Sequence, residues 1–274
     1  MHFVYSQDGT KIAYDKSGQG PALILIAGAF SYRHFPGQVE LAKRLSPHFT
    51  VYNYDRRGRG DSGNPQQPYA IDREIEDLAA LMEAAGGSAY VYGLSSGAAL
   101  ALHAAAKGLN ITALALHEPP FVVDSEGHQP PADFLQQVTK LMAEDRRAET
   151  IKYFMTKGMG APGFVVTMMR LMPGVWERLM AVAHTLPYNS ALLEGLNAGK
   201  PLPAQAWRGV HMPTVVLEGP ESPIALRRGT QAAAKVLPNA RLVTKKGLGH
   251  TKKLGAEAIA QELIAFFARE RVGV

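Results

Sequence analysis

The chain has 274 residues, 46% apolar and 19% charged, enough to bury one large α/β core or two small ones. This composition excludes collagen, coiled coil and disorder as dominant states, and no apolar run approaches the ~20 residues of a membrane-spanning helix. Twenty-nine Lys+Arg against 24 Asp+Glu leave a formal charge of +5, but the basic residues are dispersed, which argues against nucleic acid, and the lack of cysteine excludes disulfides and a cysteine nucleophile.

The opening Met1-His2-Phe3-Val4-Tyr5 lacks a basic stretch followed by an apolar run. No export signal is expected from it, and the cytoplasm is the expected compartment. Phe3–Tyr5 and Lys11–Asp15 read as two strands joined at Asp8-Gly9, a hairpin turn. After the Gly18–Pro21 break, residues 22–27 are continuously apolar, as in a strand buried on both faces. A short helix over Val39–Leu45 leads to a strand over Thr50–Tyr54. The densest basic group, Arg56-Arg57-Gly58-Arg59, follows, bracketed by Asp55 and Asp61.

Ile71, Ile75, Leu78, Leu81 and Met82 share one helical face, and Gly86-Gly87 ends that helix. Then come a strand over Ala89–Tyr92, a small-residue helix over Ser96–Ala106 and a strand over Ile111–His117. Such alternation predicts a parallel sheet covered on both faces. Past Glu118-Pro119-Pro120 the pattern turns helical, with helices expected over 132–144, 149–157, 164–172 and 175–184. Strand–helix alternation returns with Thr214–Glu218, Ala225–Leu237, Arg241–Thr244 and Ala256–Arg269. The expected organisation is therefore an α/β core of residues 1–120 and 209–274, interrupted by a helical cap at 121–208.

Gly93-Leu94-Ser95-Ser96-Gly97 matches G-x-S-x-G between a strand and a helix. A serine on so sharp a turn needs small residues two before and two after it, and Gly93 and Gly97 meet that need. The turn exposes Ser95 as a nucleophile and aims the Ser96 N–H, at a helix N-terminus, beside it. No metal site, G-x-G-x-x-G or phosphate loop is visible, so no cofactor is implied.

These residues resemble the α/β-hydrolase family over nearly the whole chain. The resemblance implies a mostly parallel central sheet with helices on both faces and an inserted helical cap. Ile26-Ala27-Gly28-Ala29 stands where the family has its oxyanion loop, with Ala27 in place of the usual histidine. It implies that the Ala29 N–H is a second oxyanion donor beside Ser96. Asp55-Arg56-Arg57-Gly58-Arg59-Gly60-Asp61-Ser62 resembles the family's D-x-R-G-x-G-x-S loop, which is mainly structural. His250, in Gly247-Leu248-Gly249-His250, stands at the place of the family's general base. The usual acid position, after Thr214–Glu218, holds Ser222. Glu118, at a second placement used by some members, is the candidate acid. Glu221 is an alternative, and a Ser–His dyad without a carboxylate is another.

The expected activity is that of a serine hydrolase cleaving small-molecule carboxylic esters through an acyl-enzyme. Lactone opening, C–C hydrolysis and perhydrolysis on the same site, or ligand binding with little turnover, remain open. Met142, Met155, Met159, Met168, Met169, Met172 and Met180 fall in the cap, leaving Met1, Met82 and Met212 outside it. Methionine adapts to irregular apolar shapes, so some of the seven are expected to line a pocket for an apolar substrate group. Phe30 and His34, just past the oxyanion loop, are further pocket candidates.

Overall fold

The computed structural model describes residues 1–64, 68–249 and 255–270. The strand runs meet in one eight-stranded sheet. The first half of the chain forms β1 (His2–Tyr5), β2 (Lys11–Ser17), β3 (Ala22–Ile26), α1 (Pro36–Leu45), β4 (Thr50–Tyr54), α2 (Ile71–Ala84), β5 (Ala89–Leu94), α3 (Ser96–Ala106) and β6 (Ile111–His117). A helical segment follows: α4 (Phe134–Ala143), α5 (Arg147–Tyr153), α6 (Gly163–Arg170), α7 (Val175–Val182) and α8 (Leu186–Ala191). The chain then returns to the sheet with β7 (Thr214–Glu218), α9 (Ile224–Val236), β8 (Ala240–Thr244) and α10 (Ala256–Glu270). Among the described residues no helix is long and apolar enough to cross a membrane.

The sheet order is β1-β2-β4-β3-β5-β6-β7-β8. The pairs β1–β2 and β2–β4 are antiparallel, and the remaining pairs are parallel. Successive side chains of a strand point to opposite faces, and that divides the apolar runs between two cores. Ile24, Ile26, Val91, Leu114, Leu116 and Val216 face α2 and α3. Leu23, Leu25, Tyr90, Tyr92, Val215 and Leu217 face α1 and α10. Burial on both faces is why these strands read as continuous apolar runs rather than alternating ones.

From β3 the chain moves outward to β4 and then returns to the other side of β3 as β5. The order therefore reverses at the β3–β5 junction, and the crevice outside the carboxyl ends of such strands is where open α/β sheets place ligands. The loop after β3 and the turn after β5 both open there.

Several helix boundaries differ from the sequence expectation for identifiable reasons. Helix α1 begins at Pro36, three residues earlier than expected, because a proline suits the first turn, where its missing N–H is not needed. The expected helix over 149–157 is α5 followed by a π-helical stretch over Phe154–Gly158. The expected helix over 175–184 ends at Val182 and tightens into a 3₁₀ turn over Ala183–Thr185. Helix α8, six residues long with Pro187 in its first turn, has too little sequence for any period to register.

The helical segment has its own apolar cluster of Phe134, Val138, Ile151, Phe154, Met155, Val166, Ala183 and Leu186. Ala29 and Phe30, from the loop after β3, pack against it. Met155 is buried in this cluster, and Met169 and Met180 lie partly buried on it. Met159, Met168 and Met172 instead face solvent, so those three of the seven methionines line no enclosed pocket.

Candidate active site

Positive φ costs a residue with a Cβ of order 1–3 kcal/mol, and persists only where the surroundings enforce it. Among the described residues four non-glycines adopt it: Phe30, Ser95, Glu118 and Asp145. The first three follow β3, β5 and β6, which lie side by side in the sheet. The strain is thus concentrated at one end of three neighbouring strands.

Ser95 has φ 55° and ψ −121° and is partly exposed, while Ser96 behind it is buried. Packing forces this geometry. A Cβ on Gly93 would overlap the Gly97 carbonyl oxygen and lie 2.7 Å from Ala98 Cα. One on Gly97 would overlap Ile26 O and lie 2.8 Å from Ala27 O. One on Gly28 would lie 3.1 Å from Ser95 Cβ, so the loop after β3 runs directly against the serine. The Ser95 N–H donates to His117 O at 2.9 Å, tying the turn to β6. Neither the Ser96 N–H, in the first turn of α3, nor the Ala29 N–H has a protein acceptor among the described residues.

Glu118 is fully buried at the end of β6 with φ 43°. Its Oε1 accepts the Gly219 N–H at 3.0 Å, and its own N–H donates to Leu217 O at 3.1 Å. Both contacts fix it against the end of β7. Glu221 is exposed, and its Oε1 accepts the N–H groups of Gly247 and Gly249 at 3.1 and 3.3 Å. Backbone donors, its own N–H first and then those two, hold its carboxyl below the usual carboxylate range. It thereby braces the loop that leads into His250. His250 itself lies outside the described residues. Ser222, at the usual acid position, is buried, and its hydroxyl has no hydrogen-bond partner among the described residues.

His117 and Tyr92 form a second brace that sequence reasoning missed. His117 Nε2 bonds the Leu248 carbonyl, an acceptor, so Nε2 carries the proton. Nδ1 is then the acceptor for the Tyr92 hydroxyl at 2.7 Å. Burial, with Glu118 nearby, pushes the Tyr92 phenol well above its usual value and keeps that proton in place. The loop before His250 is therefore held from β6 through Leu248 and from the loop after β7 through Glu221.

The pocket candidates separate. The Phe30 ring meets Phe154 edge-on at 5.6 Å between centroids, at the junction of the loop after β3 and the helical segment. His34 points away from the site, with 58% of its side chain exposed and Nε2 3.4 Å from Asp15.

The arginine run after β4 is not a surface charge group. Arg56, Arg57 and Arg59 are all buried. Arg57 pairs with Asp77 and Asp8 at 2.6 and 3.0 Å. Arg56 makes a bidentate pair with buried Glu74 at 2.6 and 2.7 Å, and that charge outweighs the burial that would raise the Glu74 pKa. Asp55 pairs with Arg33 rather than with the adjacent arginines. Arg59 has no carboxylate partner among the described residues. It donates to Gly28 O at 2.6 Å, Ser31 O at 2.9 Å and Asn189 Oδ1 at 3.0 Å. The three arginines in four residues were the available sequence signal, but their partners lie far along the chain.

The alpha/beta hydrolase family model matches residues 23–260. The pimeloyl-[acyl-carrier protein] methyl ester esterase of Xanthomonas campestris pv. campestris (strain B100) is 29% identical over 260 residues, covering 93% of this chain and 98% of that protein. Among solved structures, an alpha/beta hydrolase from Sphaerobacter thermophilus DSM 20745 is 47% identical with a TM-score of 0.88, covering 97% of this chain and all of that one (100%). The enol-lactonase of Burkholderia xenovorans LB400, at 21% identity and a TM-score of 0.70 over 97% of this chain and 100% of its own, shares the fold. With its glycine-flanked serine at the head of α3, its reversal of strand order at β3–β5 and a family match running from β3 into α10, the chain belongs to the alpha/beta hydrolase family.

Proposed function

We propose that this protein is a serine hydrolase of carboxylic esters, with Ser95 as nucleophile, His250 as general base and Glu118 as the acid that orients it. The observation that carries the reading is the backbone of Ser95, held at φ 55° between two glycines that admit no Cβ. Ser95 Oγ attacks the ester carbonyl carbon while His250 takes its proton. The N–H groups of Ala29 and Ser96 stabilise the oxyanion. Collapse expels the alcohol, which receives the proton from His250. Water, deprotonated by the same imidazole, then releases the acid from Ser95. Glu118 supports the imidazolium formed in both steps. Its complete burial and its anchoring between the ends of β6 and β7 favour it over exposed Glu221.

The residues between β6 and β7 serve in this reading as a cap. Their apolar cluster, in contact with Ala29 and Phe30, favours an acyl or alcohol group that is apolar next to the reacting carbonyl. The Xanthomonas relative, a methyl ester esterase, supports ester cleavage.

The test is hydrolysis of a short-to-long p-nitrophenyl ester series. Ser95→Ala is expected to abolish turnover. Glu118→Gln is expected to slow it about 10³- to 10⁴-fold, the scale of losing a triad acid, and Glu221→Gln by less than about tenfold. Full activity in Ser95→Ala would overturn the reading. The reverse order of the two glutamate variants would move the acid to Glu221.

A further inference from the structure

We propose that Asn189 and Arg59 are positioning residues that clasp the helical segment to the oxyanion loop, so that the seating of α8 sets where the Ala29 and Ser96 N–H groups point. This rests on the oxyanion role given to those two groups.

Asn189 lies on α8, fully buried, and its side-chain oxygen accepts three donors from the sheet side of the molecule. They are Ser96 Oγ at 2.7 Å, Arg59 Nη2 at 3.0 Å and Arg56 Nη1 at 3.1 Å. Its Nδ2 donates back to Thr185 O at 2.8 Å. The donors fix which way the amide faces, because a flipped amide would aim its own N–H groups at two guanidiniums. Arg59 carries the constraint onward. Its Nη1 binds Gly28 O and Ser31 O, the carbonyls on either side of Ala29 and Phe30. Arg56, locked by Glu74, also reaches Ser96 Oγ at 3.3 Å. One side-chain oxygen on the helical segment thus holds both halves of the oxyanion site from behind: the first residue of α3 directly, and the loop after β3 through Arg59.

The chemistry of Arg59 fits this role. A buried guanidinium ordinarily has a carboxylate partner, and among the described residues this one has carbonyl oxygens only. Burial and the neighbouring Arg56 pull its pKa down, but it remains a cation at neutral pH. A carbonyl acceptor on Asn189 is needed to hold it, and the backbone it grips is the loop whose N–H faces the reacting carbonyl. A misplacement of about 1 Å at such donors can lower turnover about 10²-fold without changing substrate contacts.

The experiment compares Asn189→Leu, which removes the acceptor at similar volume, with Asn189→Asp, which restores an oxygen to the same donors. Ester turnover and amide hydrogen exchange are measured on each full-length variant. Asn189→Leu is expected to lower kcat about 10- to 100-fold with KM within about threefold. It should also speed exchange across residues 27–31 about tenfold, with β5 still protected. Asn189→Asp is expected to return both readouts to within a few-fold of wild type. Unchanged kcat and unchanged exchange in Asn189→Leu would overturn the clasp, as would a folded Asn189→Asp as impaired as the leucine variant. Should the leucine variant lose protection in β5, Asn189→Ser, too short to reach the guanidiniums, gives the same comparison. If wild type hydrolyses no ester, the functional reading fails, and exchange across 27–31 still decides the clasp by itself.

Discussion

Among the described residues four arginines are buried, and each is stabilised differently. Arg33 is held by Asp55, with Asp15 and Asp61 at 3.1 and 2.6 Å. Arg56 has one buried carboxylate, Glu74, and Arg59 has none among the described residues. Arg57 joins Asp77, on α2, to Asp8, in the β1–β2 turn. Asp8 is where this becomes measurable. Its desolvation raises its pKa, but hydrogen bonds from Thr10 and the Arg57 charge outweigh that and lower it from 3.8 to about 2. A carboxylate depressed on folding stabilises the native state above its unfolded pKa, and that contribution is lost as the pH falls from about 4 to about 2. Asp8→Asn should therefore lower Tm at neutral pH and flatten the decline between pH 4 and 2. A thermal scan with the two curves parallel through that window would remove the assigned role.

At the scale of elements, the contact between α3 and β3 decides the site. The helix starts so close to the strand end that Gly97 faces the Ile26 and Ala27 carbonyls with no room for a methyl group. Both obstacles are backbone, so neither can rotate away. Gly97→Ala is expected to cost about 1–3 kcal/mol in denaturant unfolding, the scale of overpacking. Gly163, at the start of α6, has open space around its Cβ position. Gly163→Ala should be neutral or stabilise by up to about 1 kcal/mol. Equal costs at both positions would show that lost glycine flexibility, not the close approach, is being measured. The same steric demand explains why this turn was legible in the sequence. A strained serine between strand and helix needs its glycines at fixed spacing, and chain order alone displays them. The buried strands were legible for a related reason, since two-sided burial leaves nowhere for a polar residue.

Over the whole molecule, legibility falls with distance along the chain. Asn189 lies 133 residues from Arg56 and 130 from Arg59. His117 lies 131 residues from Leu248. No local period or spacing marks such partners, so the sequence displays the arginine run without its distant partners and gives no sign of the brace through Tyr92 and His117. Glu118 stood out as a candidate because it directly follows a strand end, at a placement the resemblance offers. Its left-handed backbone and its contact with Gly219 depend on β7, almost a hundred residues onward, and had no local signature. The helical segment was legible as a change of pattern after Pro120, while α8, the part of it that reaches the site, was too short to register.

The Asn189 contact also limits how this protein can be recombined. An exchange of the residues between β6 and β7 with those of a relative carries away Asn189 and leaves Ser96, Arg56 and Arg59 with the recipient. Unless the incoming segment presents an oxygen at the same place, each stranded buried donor costs about 1–3 kcal/mol, and the chimera begins with much of an ordinary stability margin of 5–15 kcal/mol already spent. Libraries that keep an acceptor at position 189, or replace 56, 59 and 74 together with the segment, should retain far more folded members in a thermal-challenge screen than libraries cut at the segment ends alone.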